Sequence, residues 1–345
     1  MSSFPVSLIS KARERARVSG QARQLAQSLG TIVVAGALLA VFAETAGAFL
    51  TAENVRNILI QTSALGVVAV GETMVMLTGG IDLSVGAMAF VGEVLTADLC
   101  ASTATGASGQ PVSSAGVHSC VLALVIALLV TGCLGLLNGL LVAVVRIPAI
   151  LATLASLLLA TGLGELVLNL RYLSVTSPIF GQMYTRNVVF NLPGMVLLMF
   201  ALFVVFAFVM QKTRYGRNVY AIGGNAKAAR LSGLPVVRTT LAIYTLTGIL
   251  CGVGGLLTVC QLGMVSSTDL QSLNFETIIA VLLGGLSISR GGVGRVERTL
   301  LGVVIYGMLV NYQTIKGVNP SYQQALMGGL LVAVVVADRL LRGRQ

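Results

Sequence analysis

Two carboxylates ten positions apart, Glu72 and Asp82, lie in the apolar stretch GETMVMLTGGIDLSVGA, residues 71–87, with the glycine pair Gly79–Gly80 between them. A third acid, Glu276, opens another apolar run. A charged side chain at the centre of a membrane helix costs about 2.5–3.5 kcal/mol on insertion scales, so each acid needs a partner or a watered path. On a continuous helix Asn54, Asn57, Gln61, Leu65, Val68 and Glu72 fall at steps of three or four and share one face. That stripe predicts a face turned to the bundle interior or to a translocation path. Interhelical hydrogen bonding is an equal alternative for its amides. Gly79 and Gly80 interrupt the helix, and Asp82 or Ser84 then caps the next one. Such a break is tolerated in a membrane only where protein buries it or where it lines a cavity. The simpler alternative is a tight inner turn with Asp82 as an interfacial cap.

Other chemistries are missing from the chain. No G-x-x-x-x-G-K-[ST] occurs, so no P-loop for ATP is present. The single histidine, His118, gives neither a Ser/His/Asp arrangement nor a metal cluster, and the five cysteines include no CxxC pair. We therefore expect no catalytic residue, metal or cofactor on this chain. Cys100 and Cys120 flank the Gly/Ser-rich segment 100–120. A disulfide is one reading and two buried thiols the other.

The elements that must hold these residues follow from composition. The chain has 345 residues, of which 56% are hydrophobic and 10% charged, against about 25% charged in soluble domains. It reads as an all-α integral membrane protein, because the long apolar runs lack period-2 alternation. Ten segments are expected to span: 28–50, 57–78, 83–99, 119–142, 148–169, 191–210, 239–261, 273–289, 300–315 and 319–338. A basic head, Lys11 to Arg23, precedes the first. A signal peptide is conceivable there, but the rest of the chain is equally apolar, which favours an anchor helix. With both termini cytoplasmic, 18 of the 22 Lys and Arg residues fall inside and only Arg56, Arg171, Arg186 and Lys316 outside. The net charge of +10 is thus a matter of orientation in the membrane and not of nucleic acid. The organisation expected is a basic head 1–27, one permease-like domain 28–338 and a basic tail 339–345.

The longest inner connection, 211–238, contains GGNAKAARLSG, a short helix with Asn225 as N-cap and Gly233 as stop. A solvated positive-inside loop would explain its arginines but not its small residues, which let another protein approach the backbone. LTGGIDLSVG (77–86) also aligns with LLGGLSISRG (282–291), read as local reuse of a glycine-rich break. GLLNG (135–139) and GILCG (248–252) are weak GxxxG packing signals.

Four blocks carry a resemblance to a known family: GETMVMLTGGIDLSVGAM, RIPAILATLASLLLATGL, TRYGRNVYAIGGNAKAARLSGLPV and FETIIAVLLGGLSISRGGVG, in that order. The chain resembles the membrane permease subunits of bacterial ABC importers for monosaccharides of the ribose, xylose, arabinose and galactoside type. The resemblance covers about residues 50–340. It implies a ten-span inner-membrane permease paired with a second copy or a related permease. ATPase subunits carrying ATP and Mg would drive it, and a periplasmic or lipoprotein sugar-binding protein would deliver solute. It places the ATPase-coupling role on Gly216, Ala221, Gly223, Asn225, Ala228, Ala229, Ser232 and Gly233. The signature break of the resemblance falls on Gly79, Gly80, Asp82, Ser84 and Gly86; the polar residues themselves, apart from the resemblance, give Asn57, Gln61, Glu72 and Glu276 as the candidate path. The chain departs from the family pattern after GGVG, where Arg295, Glu297 and Arg298 add charge. Another small solute on the same scaffold (a branched-chain amino acid, nucleoside, polyol or signalling sugar) is the nearest rival. An ion-coupled secondary transporter titrating Glu72, Asp82 or Glu276 is a more distant one.

Overall fold

The structure, a computed structural model, describes residues 36–342 apart from 48, 101–103, 106–110, 114–116, 170, 176–177, 268–271 and 289. The basic head, the start of the first expected span, most of segment 100–120 and residues 343–345 lie outside the described residues.

Helices dominate: α1 (Gly36–Thr45), α2 (Ala52–Gln61), α3 (Ser63–Leu77), α4 (Val85–Leu99), α5 (Val117–Leu140), α6 (Ala149–Leu168), α7 (Pro178–Thr185) and α8 (Gly194–Lys212). They continue as α9 (Arg214–Gly224), α10 (Ala226–Leu231), α11 (Val236–Leu262), α12 (Leu273–Leu283), α13 (Val296–Ile315) and α14 (Pro320–Arg342). Among the described residues each of the ten expected segments contains helix, the bent pair α2–α3 for 57–78 and only Gly36–Thr45 for 28–50. By length and apolarity, five described helices can cross a bilayer: α5 with its π-helical end to Val145, α6, α8, α11 and α14. The pair α2–α3 makes a sixth if counted as one span. At 15 and 11 residues, α4 and α12 are shorter than the ~20 a full crossing takes.

The layers follow from side-chain character. All of α3 is buried, and α4 and α11 are mostly buried; they are apolar on every face, the mark of helices enclosed by others. The two GxxxG patterns meet here. A Cβ at Gly135 of α5 would lie 3.0 Å from the Gly248 Cα of α11, so bare glycines let these backbones touch. Outside this layer, α5, α6, α8 and α14 expose Leu129, Leu158, Leu166, Val204, Phe208 and Val332. In water such a surface is a liability; against lipid tails it is the expected finish.

The stripe from Asn54 to Glu72 does not form a single face. The chain bends by 48° between α2 and α3, where the Thr62 and Ser63 hydroxyls donate to the Ile58 and Leu59 carbonyls at 2.8 and 2.7 Å. Such back-bonding bends helices, and an apolar-period pattern cannot foresee it. Asn54 instead pairs reciprocally with Asn311 of α13, at 2.9 and 3.0 Å. Asn57 is half-buried and Gln61 exposed.

At the end of the bundle opposite α9, short strands add a feature absent from the sequence reading. β1 (Ala104–Thr105), β2 (Pro111–Ser113), β3 (Leu173–Val175) and β6 (Met264–Val265) form one small sheet; β4 (Asn187–Val189) and β5 (Leu192–Pro193) form another. Cys100 caps α4 and Cys120 lies in the first turn of α5; both are buried as thiols joined by a hydrogen bond. At this same end Arg171 bridges Asp98 at 3.2 Å and Arg56 donates to Asn187 at 3.1 Å. These exposed contacts contribute little stability.

Candidate functional site

Three glycine motifs, far apart in sequence, converge where α3 and α12 end. Gly79, at φ +87°, turns the chain out of α3 in a backbone region that side chains strain to adopt. Gly292 N donates to Leu77 O at 2.7 Å, joining the loop after α12 to this turn. A Cβ on Gly223 of α9 would collide with Leu77 O and Gly292 N. One on Gly291 would lie 2.7 Å from Gly223 O and 2.8 Å from Gly79 N. The signature break, the GG of α9 and the GG before α13 are thus one backbone-to-backbone junction. The aligned glycine pairs do not turn alike: the positive φ falls on the first glycine at Gly79 but on the second at Gly285.

The two short helices α9 and α10 hang on this junction. Thr213 caps α9 by accepting from Gly216 N at 3.3 Å, and Gly216 lets α9 fold against the Met210 carbonyl. Asn225 closes α9 and caps α10, accepting from Ala228 N at 2.9 Å, as its side-chain type led us to expect. Gly233, at φ +77°, ends α10 through Leu234 N to Ala229 O at 3.1 Å. Ala229 is buried, while Ala221, Ala228, Ser232 and Gly233 are exposed. The Tyr220 hydroxyl donates to Gly294 O at 3.1 Å. Burial, then the Glu297 carboxylate, pushes this phenol upward. The charges that follow GGVG therefore sit beside α9: Arg295 pairs with Glu297 at 3.2 Å, and both act on Tyr220 together with Arg298.

This arrangement makes α10 a sensitive test point. Asn225→Ala removes one cap, worth about 1 kcal/mol, and frays the six-residue helix. We expect transport to fall several-fold with normal membrane insertion. Uptake at the wild-type rate would take Asn225 out of the working surface.

Deeper in the bundle, Asp82 has no exposure and organises a polar knot. Its Oδ1 accepts from Ser84 N at 2.9 Å and from Ser84 Oγ at 2.5 Å, and its Oδ2 lies 3.5 Å from Asn138 Nδ2. Asn138 also donates to Ser84 Oγ at 2.8 Å and accepts from Ser156 Oγ. Thr153 Oγ1 reaches Ile81 O at 3.3 Å. Glu72, equally buried, receives Asp82 N on Oε1 at 3.2 Å. Asp82 accepts from the amide of Ser84, the N-cap residue of α4, and so shapes the turn into that helix; the Ser84 side chain makes no cap bond to it. Gly86 is buried in the first turn of α4. The knot stitches the break to α5 and α6, and the only signal for Asn138, Thr153 and Ser156 in the sequence was their polarity inside apolar spans.

Glu276 stands apart from this knot, half-buried at the start of α12. Ser272 Oγ donates to it at 2.5 Å and the Tyr306 hydroxyl donates to it as well. The four candidate path residues are thus not gathered in one place.

Comparison with known proteins decides the family. The model of the family "Branched-chain amino acid transport system / permease component" matches residues 54–335. The chain belongs to this permease family. It is 35% identical over 292 residues to the ribose import permease protein of Bacillus subtilis (strain 168), covering 84% of this chain and 86% of that one. The L-arabinose ABC transporter permease protein of Azospirillum brasilense is 30% identical, covering 96% of this chain and 93% of its own. The galactose/methyl galactoside import permease protein of Salmonella typhimurium (strain LT2) is 31% identical, covering 92% and 95%. No solved structure matches the chain. As a permease, the chain is a transport component and not an enzyme.

Proposed function

We propose that this permease imports a monosaccharide across the bacterial inner membrane as the membrane-spanning part of an ATP-driven ABC importer. The observation that carries this reading is its similarity, over most of both chains, to import permeases for ribose, arabinose and galactosides. ATP and Mg belong to separate ATPase subunits, in keeping with a sequence that has no P-loop. Those subunits would dock on α9 and α10. Motion there would reach α3 and α12 through the Gly223–Gly291 contact, because backbone against backbone leaves no soft side chain to absorb it. A second permease copy or a related permease would complete the path, with membrane lipid around it. A periplasmic or lipoprotein sugar-binding protein would deliver solute.

The test is uptake into proteoliposomes holding the permease with its ATPase and binding protein. Sugar accumulation should require ATP and all three components. Accumulation driven by an ion gradient without the ATPase would overturn the reading. The family description names branched-chain amino acids, so L-leucine uptake without sugar uptake would select the second reading.

A further inference from the structure

A cavity of about 530 Å³ opens between α12, α13 and α14. It is lined by the first half of α12 and of α14, at the opposite end of α12 from the Gly223–Gly291 junction. Its size lies in the range of small-molecule sites, ~300–1,000 Å³. Its lining combines an apolar wall, Ile279, Val310 and Leu331, with Phe275 and the polar side chains of Glu276, Tyr306, Gln323 and Gln324.

We infer that this cavity is a transit subsite for a neutral polyhydroxyl solute, with Glu276 in its lining as the hydroxyl acceptor. The inference rests on the import reading above. Ser272 and Tyr306 hold the Glu276 carboxylate in one orientation, and a carboxylate with roughly four lone-pair sites has acceptor capacity beyond those two donors. Gln323 spends one of its two amide N–H donors on Val318 O at 2.8 Å, which leaves the other donor and its carbonyl acceptor. Gln324 is exposed and brings both donor and acceptor. A polyol presents several O–H donors and an apolar C–H face, which suits acceptors set against Phe275 and the aliphatic wall.

The same inventory disfavours an amino acid. A zwitterion needs a partner for each charge, and a desolvated carboxylate without one is costly. The cavity lining contains one carboxylate and no Lys, Arg or His. An α-ammonium could meet Glu276, but the α-carboxylate would meet the same negative group.

Two variants separate the site from its surroundings. Glu276→Gln keeps the shape and one acceptor but loses the charge-assisted bonds, which a hydroxyl donor feels as about tenfold. Gly328→Phe plugs the space: a Cβ there meets nothing within 4 Å, so a side chain enters without a backbone clash. In proteoliposomes with the ATPase and binding protein, D-ribose, L-arabinose and D-galactose serve as probes and L-leucine as the zwitterion control. We expect the sugar transported by wild type to enter about tenfold more slowly with Glu276→Gln and to be nearly blocked by Gly328→Phe. ATP hydrolysis stimulated by the binding protein should stay near wild type. Wild-type sugar uptake with both variants unimpaired overturns the subsite and leaves the import reading standing. Wild-type uptake of L-leucine alone overturns both. Should Gly328→Phe fail to assemble, Glu276→Gln and Gln324→Ala decide: two normal uptake rates overturn the subsite.

Discussion

Gly223→Val is expected to abolish transport while its neighbour Gly224→Val should not. The contrast comes from geometry. A Cβ at Gly223 falls on Leu77 O and Gly292 N, both backbone atoms, whereas at Gly224 it meets nothing within 4 Å. Backbone cannot rotate aside as a long side chain can. Overpacking costs about 1–3 kcal/mol even in cores that relax, and here relief requires α9 to lift off the turn at Gly79. Helix α9, proposed above to face the ATPase, would then lose its contact with the ends of α3 and α12. ATP-dependent uptake should drop to background while ATP hydrolysis becomes insensitive to the binding protein. Size-exclusion of the detergent-solubilised chain should still give a single folded species. Normal uptake by Gly223→Val would show that this contact carries no coupling.

Asp82→Ala should be the most destabilising of the single changes considered. It strips the acceptor from Ser84 N, Ser84 Oγ and Asn138 Nδ2 at a site with no exposure. A buried donor left unmade costs about 1–3 kcal/mol. Asn138 Nδ2 can fall back on Ser84 Oγ, so the sum is several kcal/mol and not the full triple. Glu72→Gln is the matched control, since it keeps an amide oxygen for Asp82 N. Thermal unfolding followed by fluorescence-detected size exclusion should show a large drop for Asp82→Ala and a small one for Glu72→Gln. Equal midpoints for Asp82→Ala and wild type would mean that the knot does not hold the break in place.

Much of this architecture was legible because it is written in local chemistry. The apolar runs announced the helices, Asn225 announced its cap, and Gly79 and Gly233 announced turns that need φ above zero. The four quoted blocks announced the family. What stayed hidden depends on contacts across the chain. GxxxG at 135 and 248 was only a pattern until α5 and α11 met. The partnership of Gly223 with Leu77 and Gly291 joins residues that no spacing rule connects. The Asn54–Glu72 stripe failed for the converse reason: an ideal 100° step per residue assumes a straight axis, and two adjacent hydroxyls at Thr62 and Ser63 bent it. Asn138 and Ser156 were overlooked because a lone amide or hydroxyl in an apolar span looks like helix packing until its carboxylate neighbour is seen.

The 48° bend between α2 and α3 has a mechanical reading. With ten residues in α2 and a rise of 1.5 Å each, that arm is about 15 Å long. Its far end therefore sits about 11 Å sideways from where a straight helix would put it. Each degree of opening or closing at Thr62 sweeps that end by about 0.26 Å. The Asn54–Asn311 pair clamps this lever near its tip to α13, so the angle at Thr62 is read out eight residues away as the stretch of two hydrogen bonds.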